Sequence, residues 1–210
     1  MNRISARAPR VNAPGLWVVL AWLIAGCATA PPDEPEDLCA IFREKPGWYR
    51  AVVKAEKRWD IPAHVMMSVT YRESSYVSNA KPARGKLLWV IPWKRPSSAY
   101  GYAQATDATW SDYERATGRR FADRDDFDDA IDFIGWYLNR AHRHLGISTN
   151  NARHLYLAYH EGLSGYKSGR WKKNKWLLGA ADKVANKAWH YQRQLHECRG
   201  KLKKKRFWVF

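Results

Sequence analysis

The sequence predicts an all-α domain interrupted by one long non-helical insertion at residues 81–98. Three observations lead there. Apolar residues recur at steps of three and four through most of the chain, the period of one helix face. No stretch alternates apolar and polar residues as a half-buried strand does. The insertion holds Pro82, Pro92 and Pro96, each of which lacks a backbone donor and crowds a preceding helical turn, so no regular helix runs through it.

The elements follow in chain order. Arg3, Arg7 and Arg10 precede the apolar run 16–25 (LWVVLAWLIA). Ten apolar residues are too few for a bilayer span, which takes about 20, but they suit the centre of an export signal. Ile24-Ala25-Gly26-Cys27 comes next and looks like a lipobox, in which the cysteine becomes the lipidated first residue of a mature bacterial lipoprotein. Ordinary cleavage near Ala28 or Ala30 is the other reading. Ala28, and not the Asp associated with inner-membrane retention, follows Cys27, so the expected location is the periplasmic face of the outer membrane. The expected organisation is a signal over 1–26, an acidic Pro-rich tether over 27–37, one domain over 38–200 and a basic then aromatic tail over 201–210. The tail reads as a solvated end or as a membrane-surface contact.

Within the domain, Trp48, Val52, Ala55 and Trp59 lie on one helix face, and Asp60 and Pro62 mark a break and a new start. Met66, Val69, Glu73 and Tyr76 make the next stripe, and Ser74, Ser75, Ser78 and Asn79 end that helix. Asp107 reads as the cap of a helix that begins there. Phe127, Ile131, Ile134, Leu138, Ala141 and Leu145 form a long stripe behind Asp123, Asp125 and Asp126, stopped by Gly146. Asn150 or Asn151 caps a helix through Leu155 and Tyr159 that ends near Gly162. The last helix carries Leu177, Ala181, Val184, Ala188, Tyr191, Leu195 and Cys198 on one side. Three cysteines are an odd number for an exported chain. If Cys27 is lipidated, Cys39 and Cys198 remain to form a disulfide in an oxidising compartment; two unrelated buried thiols are the alternative.

The formal net charge is +16, and removing the three signal arginines leaves +13. Such a surface attracts polyanions. Nucleic acid is disfavoured by the export signal and by the scatter of the basic residues, so the expected anionic partners belong to the cell envelope. Tryptophan is in excess, 12 in all and 10 without Trp17 and Trp22. Indole faces suit sugar rings, although at least half of these residues are expected in the core. His142 and His144 stand two apart with no further ligand type nearby, and no metal or cofactor is expected.

Glu73 is the residue that needs explaining. A carboxylate on an inward stripe is disfavoured in its charged form, and burial raises its pKa toward neutrality. A carboxylic acid held protonated in this way can donate a proton to a glycosidic oxygen. The plainer reading is a helix-end ion pair with Arg72.

Three segments weigh against the plainer reading. Tyr71-Arg72-Glu73-Ser74-Ser75 resembles the Glu-Ser motif of the lytic transglycosylase domain, whose fold is shared with goose-type lysozyme. Ala99-Tyr100-Gly101-Tyr102-Ala103-Gln104 resembles the family's AYGLMQ stretch, and Leu157-Ala158-Tyr159-His160-Glu161-Gly162 its AYNAG stretch. They stand in the family's order between Trp48 and Tyr166. The resemblance implies a lysozyme-like domain, and the insertion, which leaves the helix of Glu73 and returns just before Gly101 and Gln104, is expected near its cleft. It implies Glu73 as catalytic acid and then base, with Ser74 hydrogen-bonded near it. Gln104 would hold the sugar beside the scissile bond, Tyr100 would line the substrate, and Tyr159 would point its hydroxyl at Glu73 or the substrate. Cleavage would break the MurNAc-β-1,4-GlcNAc bond of peptidoglycan glycan strands, the muramic C6 hydroxyl closing a 1,6-anhydro ring without water, a substrate-assisted exception to the two-carboxylate rule. A muramidase giving reducing ends, or a non-catalytic peptidoglycan-binding envelope protein, are the other readings. A monomer is expected.

Two departures from the family pattern bear on the cleft. Ala103 replaces a larger side chain that usually lines a sugar subsite, and His160-Glu161 adds polar groups. The surplus between Glu73 and Gly101 is the segment 85–98 (GKLLWVIPWKRPSS), which holds Trp89 and Trp93. It reads either as a wall of the cleft, offering Trp89 or Trp93 to a sugar ring, or as an outer packing flap.

Overall fold

A computed structural model describes residues 29–83, 86–87, 91–92 and 97–205. Seven α-helices make up the described domain: α1 (Leu38–Glu44), α2 (Pro46–Trp59), α3 (Ala63–Ser74), α4 (Asp107–Thr117), α5 (Phe127–Leu145), α6 (Ala152–Lys167) and α7 (Lys175–Lys205). A 3₁₀ turn, Arg170–Lys173, joins the last two.

The helix limits have local causes. The Asp37 carboxylate accepts from Cys39 N and Ala40 N and starts α1. Pro46 opens α2 at a position where a missing N–H costs nothing. Asp60 ends α2 with φ +56°, and Pro62 sets up α3. Thr106, not Asp107, caps α4 through Thr109 N, which corrects the expectation for Asp107; that residue is exposed and pairs with Arg124 at 2.8 Å. Asp126 caps α5 and Asn151 caps α6. At Gly162 the backbone takes φ +75°, ψ 163°, a region open in practice only to glycine, and α6 breaks there.

α3 is the central element. Ala63, Val65, Met66, Met67, Ser68, Val69, Thr70 and Ser74 are all buried, so the helix is covered on nearly every side. It packs on α7 and α5; α2 lies along α5, and α6 sits between α5 and α7. Rings fill the gaps: Trp48 stacks on Phe127 with centroids 3.8 Å apart, and Tyr102 meets both edge-on. Of the described tryptophans, Trp48, Trp110 and Trp136 are buried and Trp59 and Trp171 pack against the core, leaving Trp176 and Trp189 in water. The core share expected of tryptophan is met among these.

Two expectations about organisation change. The segment before α1 is not a free tether in its described part. Pro32 is buried, Glu36 meets Tyr71 and Lys187, and Tyr191 donates to Pro35 O. An acidic stretch beside a basic α7 finds partners that a solvated linker would forgo. The boundary at 201 also moves: α7 runs on to Lys205, with Leu202 8% exposed, because the inward stripe continues one turn past Cys198. The insertion is non-helical in its described part, as expected, and there Lys86–Leu87 and Ile91–Pro92 pair antiparallel, Leu87 opposite Ile91. Pro92 can sit there because a two-residue edge strand asks for little from its N–H. Cys39 and Cys198 form a disulfide with Cα atoms 6.1 Å apart, tying α1 to α7 across 159 residues.

Candidate active site

The site is built where α3 stops. Ser75 and Tyr76 follow the helix with φ of +50° and +64°, two left-handed residues in succession and neither of them glycine. Such backbone costs about 1–3 kcal/mol per residue and persists where the surroundings over-determine it. Here Tyr76 is fully buried, and its hydroxyl meets Met67 O at 3.1 Å and the Tyr191 hydroxyl at 3.0 Å. The turn is therefore pinned under α3, and Glu73, one residue from the helix end, is held with it.

Glu73 is half-buried at its surface and surrounded by protein on its other sides. Burial pushes its carboxyl up to about 7, against the Tyr156 hydroxyl and the Arg72 charge, which both favour the ionised form. Tyr156 lies on α6, 2% exposed, within hydrogen-bonding reach of Glu73 and Arg72. Burial and the neighbouring carboxylate raise the Tyr156 phenol well above its ordinary value, so it stays a donor. No second carboxylate acts on Glu73 among the described residues. The remaining parts of the sequence contain no Asp or Glu. Asp107 and Glu161 are engaged elsewhere, the first with Arg124 and the second with Arg170 at 3.7 Å.

A second wall comes from the segment after the insertion. Tyr100 bridges Ala105, Gly101 N donates to Ala80 O at 3.0 Å, and Tyr102 N donates to Arg124 O at 3.2 Å. Gly101 takes φ +77°, and a Cβ there would lie 1.9 Å from the Arg124 carbonyl oxygen, so only glycine allows this approach. The loop so fixed holds Gln104 at φ +48°. The Gln104 amide donates to Ala80 O and Gly101 O, both at 2.9 Å, leaving its carbonyl oxygen without a partner among the described residues.

The expected site residues divide as follows. Glu73 has the environment expected of a protonated acid. Gln104 is half-exposed on a clamped loop. Tyr100 is half-exposed too, but its hydroxyl donates to Asp125 at 2.7 Å, which pushes the phenol up to about 12, and its ring lies beside Lys81 and Arg124. Ser74 is buried and its hydroxyl donates to Thr70 O at 3.2 Å, not toward Glu73, because a serine in the last helical turn reaches the carbonyl four residues back. Tyr159 does not bond Glu73 either. Its hydroxyl donates to Ala103 O at 2.6 Å, although its ring lies within the field of the Glu73 charge. Ala103 is fully buried, so its small size opens no sugar subsite. Cys27, Trp89 and Trp93 lie outside the described side chains.

Sequence reasoning missed Tyr156. Its spacing of three from Tyr159 put two phenols on neighbouring parts of one helix face, and the motif drew attention to the wrong one. It also missed that α6 and the 100–105 loop are joined by the Tyr159–Ala103 bond, so both walls meet at Glu73. No curated protein was found to match the chain. A family model described as Transglycosylase SLT domain matches residues 15–198, and the chain belongs to that family.

Proposed function

We propose that the chain is a peptidoglycan lytic transglycosylase with Glu73 as its one acid and base. The carrying observation is a carboxyl pushed to about 7 by burial, with no second carboxylate acting on it among the described residues. Membership in the transglycosylase SLT family supports the same substrate and reaction class. In this reading Glu73 gives its proton to the oxygen that joins muramic C1 to the next glucosamine. As that C–O bond breaks, the N-acetyl carbonyl oxygen of the same muramic residue closes on C1, which replaces the missing second carboxylate. Glu73, now ionised, takes the proton of the muramic C6 hydroxyl. The C6 oxygen attacks C1 and releases the acetamide oxygen. A 1,6-anhydro end forms, Glu73 regains its proton and no water is consumed. Tyr156 steadies the carboxylate between the two proton transfers, and Gln104 offers its carbonyl oxygen, without a partner among the described residues, to a sugar amide or hydroxyl.

Export and a lipid anchor on Cys27 belong to this proposal and rest on the arginines, the apolar run and the lipobox-like residues before Ala28. Cys27→Ala should move the protein from the membrane fraction to the soluble periplasm; an unchanged distribution overturns the anchor.

Mass spectrometry of muropeptides released by the purified protein tests the reaction. Anhydro products, lighter by one water than reducing ends, are expected. Reducing ends would make the protein a muramidase, and no products a binding protein. Glu73→Gln should lower turnover at least 10²–10⁴-fold, the range typical of general acid catalysis, while strand binding persists. More than about a tenth of the activity remaining would remove Glu73 from the role.

A further inference from the structure

Three large apolar side chains stand in water among the described residues: Phe121, Trp176 and Trp189. Trp176 differs from the others in what holds it. It is the second residue of α7 and 62% exposed, yet both of its ring neighbours among the described residues lead back to Glu73. The Arg72 guanidinium carbon lies 5.6 Å from the Trp176 ring centroid, and Arg72 directly precedes Glu73 and shares the Tyr156 hydroxyl with it. The His160 ring lies 5.6 Å from Trp176, tilted by 57°, and 6.4 Å from the Tyr156 ring one turn earlier on α6. The helix start fixes the indole outward. Asn174 Oδ1 accepts from Leu177 N at 3.0 Å, and the adjacent Leu177 is fully buried, which leaves Trp176 on the solvent side.

These contacts join α3, α6 and α7, the helices that carry Arg72, His160 and Trp176, on the Glu73 side of the domain. They hold a flat aromatic face in place without covering it. A cation over the indole and a tilted imidazole beside it restrict the ring's motion, so the entropy of ordering it is already spent before a ligand arrives. A pyranose ring presents a C–H face for the indole and a rim of hydroxyls and N-acetyl oxygens for the Arg72 and His160 donors.

We propose that Trp176 is a sugar-stacking platform, flanked by Arg72 and His160, that carries a ring of the glycan strand away from the bond at Glu73 and sets the strand's register. This rests on the reading of the Glu73 site as glycan-cleaving. Trp189 is the natural comparison: it is 50% exposed and has its own cation, Arg193 at 4.8 Å, but none of its ring contacts among the described residues leads to Glu73.

The test uses the full chain carrying Glu73→Gln, so that bound strands stay intact, titrated calorimetrically with peptide-free glycan strands from amidase-treated peptidoglycan. Adding Trp176→Ala should raise Kd about ten-fold, the size of one ring-on-indole contact. Trp176→Phe should restore most of the affinity, and Trp189→Ala should leave it unchanged. In the chain with Glu73 present, Trp176→Ala should raise KM and leave kcat near its starting value. Trp176→Gln, which removes the ring but keeps a polar side chain compatible with a helix and with water, gives the same comparison if the alanine variant folds poorly. Binding by the parent that Trp176→Ala and Trp176→Gln leave unchanged overturns the platform alone. A parent that binds no strand overturns both the platform and the reading of the Glu73 site.

Discussion

At Glu73 two influences of opposite sign act on one proton. Burial favours the neutral acid, while Tyr156 and Arg72 favour the carboxylate, and burial prevails by enough to place the group at about 7. That balance suits a residue that must give a proton and then take one near neutral pH. It also has a stability consequence. The folded-state value is raised above the ordinary 4.5, so the stabilising contribution is complete below about 4.5 and is lost as pH rises through about 7. The loss is at most about 3 kcal/mol. Glu73→Gln removes the titration, so urea melts should show little difference between variant and parent at pH 4 and a more stable variant at pH 8. Equal differences at both pH values would mean that the carboxyl is not held neutral by the fold. Tyr156→Phe removes a bond to the charged form and so raises the Glu73 pKa further. The alkaline limb of kcat/KM should move up by as much as about one pH unit, since a hydrogen bond is worth about 0.5–1.5 kcal/mol. Tyr159→Phe, which loses only the bond to Ala103 O, should leave that limb in place.

Among the elements, α5 shows how a charge can be buried at low cost. Asp132 is 3% exposed and accepts from Arg58 at 3.0 Å, the Trp59 indole at 3.0 Å and the Tyr113 hydroxyl at 2.8 Å, with Arg119 at 3.2 Å. One carboxylate thereby fastens α2 and α4 to α5. Asp132→Ala leaves two guanidinium groups facing an emptied site, and the expected loss is about 3–5 kcal/mol in a denaturant melt. Activity per folded molecule should persist at low temperature, since none of these residues touches Glu73. A loss below about 1 kcal/mol would show that water replaces the carboxylate freely. α6 makes the complementary case. Its break at Gly162 comes after Tyr156, Tyr159 and His160, so the residues facing α3 and the 100–105 loop sit on an unbroken run that α5 and α7 support.

For the whole molecule, the Cys39–Cys198 bond closes a loop of almost the entire domain. In the chain-entropy model such a loop restricts the unfolded chain by about 5 kcal/mol. Peptide mapping without reduction should recover the cross-linked pair, and Cys39→Ser with Cys198→Ser should lower the melting temperature without changing the muropeptide products. Free thiols at both positions would remove the bridge. The same end of the molecule gathers the docked acidic segment: Asp37 caps α1, Glu36 meets Lys187, and Gln194 accepts from Leu38 N. The described segment before α1 is thus fixed to α7.

Several features were legible in the sequence because they depend on neighbours a few residues apart. The apolar periods located the main helices, Asp60, Pro62 and Gly146 marked their limits, Gly162 marked a break inside α6 and not its end, and the carboxylate on the α3 stripe singled out Glu73. The inward position of Cys198 followed from the same arithmetic. What only the tertiary structure decided depends on distances between elements. Tyr156 and Tyr159 differ by three positions on one helix, and which phenol reaches Glu73 is set by how α6 lies against α3. The hydroxyl of Ser74 turns to Thr70 O because the helix offers a nearer acceptor than the cleft. The acidic segment before α1 reads as solvated linker in isolation, and it is ordered only because Lys187 and Tyr191 arrive from more than 150 residues away. The exposure of Trp176 likewise follows from the packing of Leu177 beneath it, since periodicity says which residues share a face and packing says which face is buried.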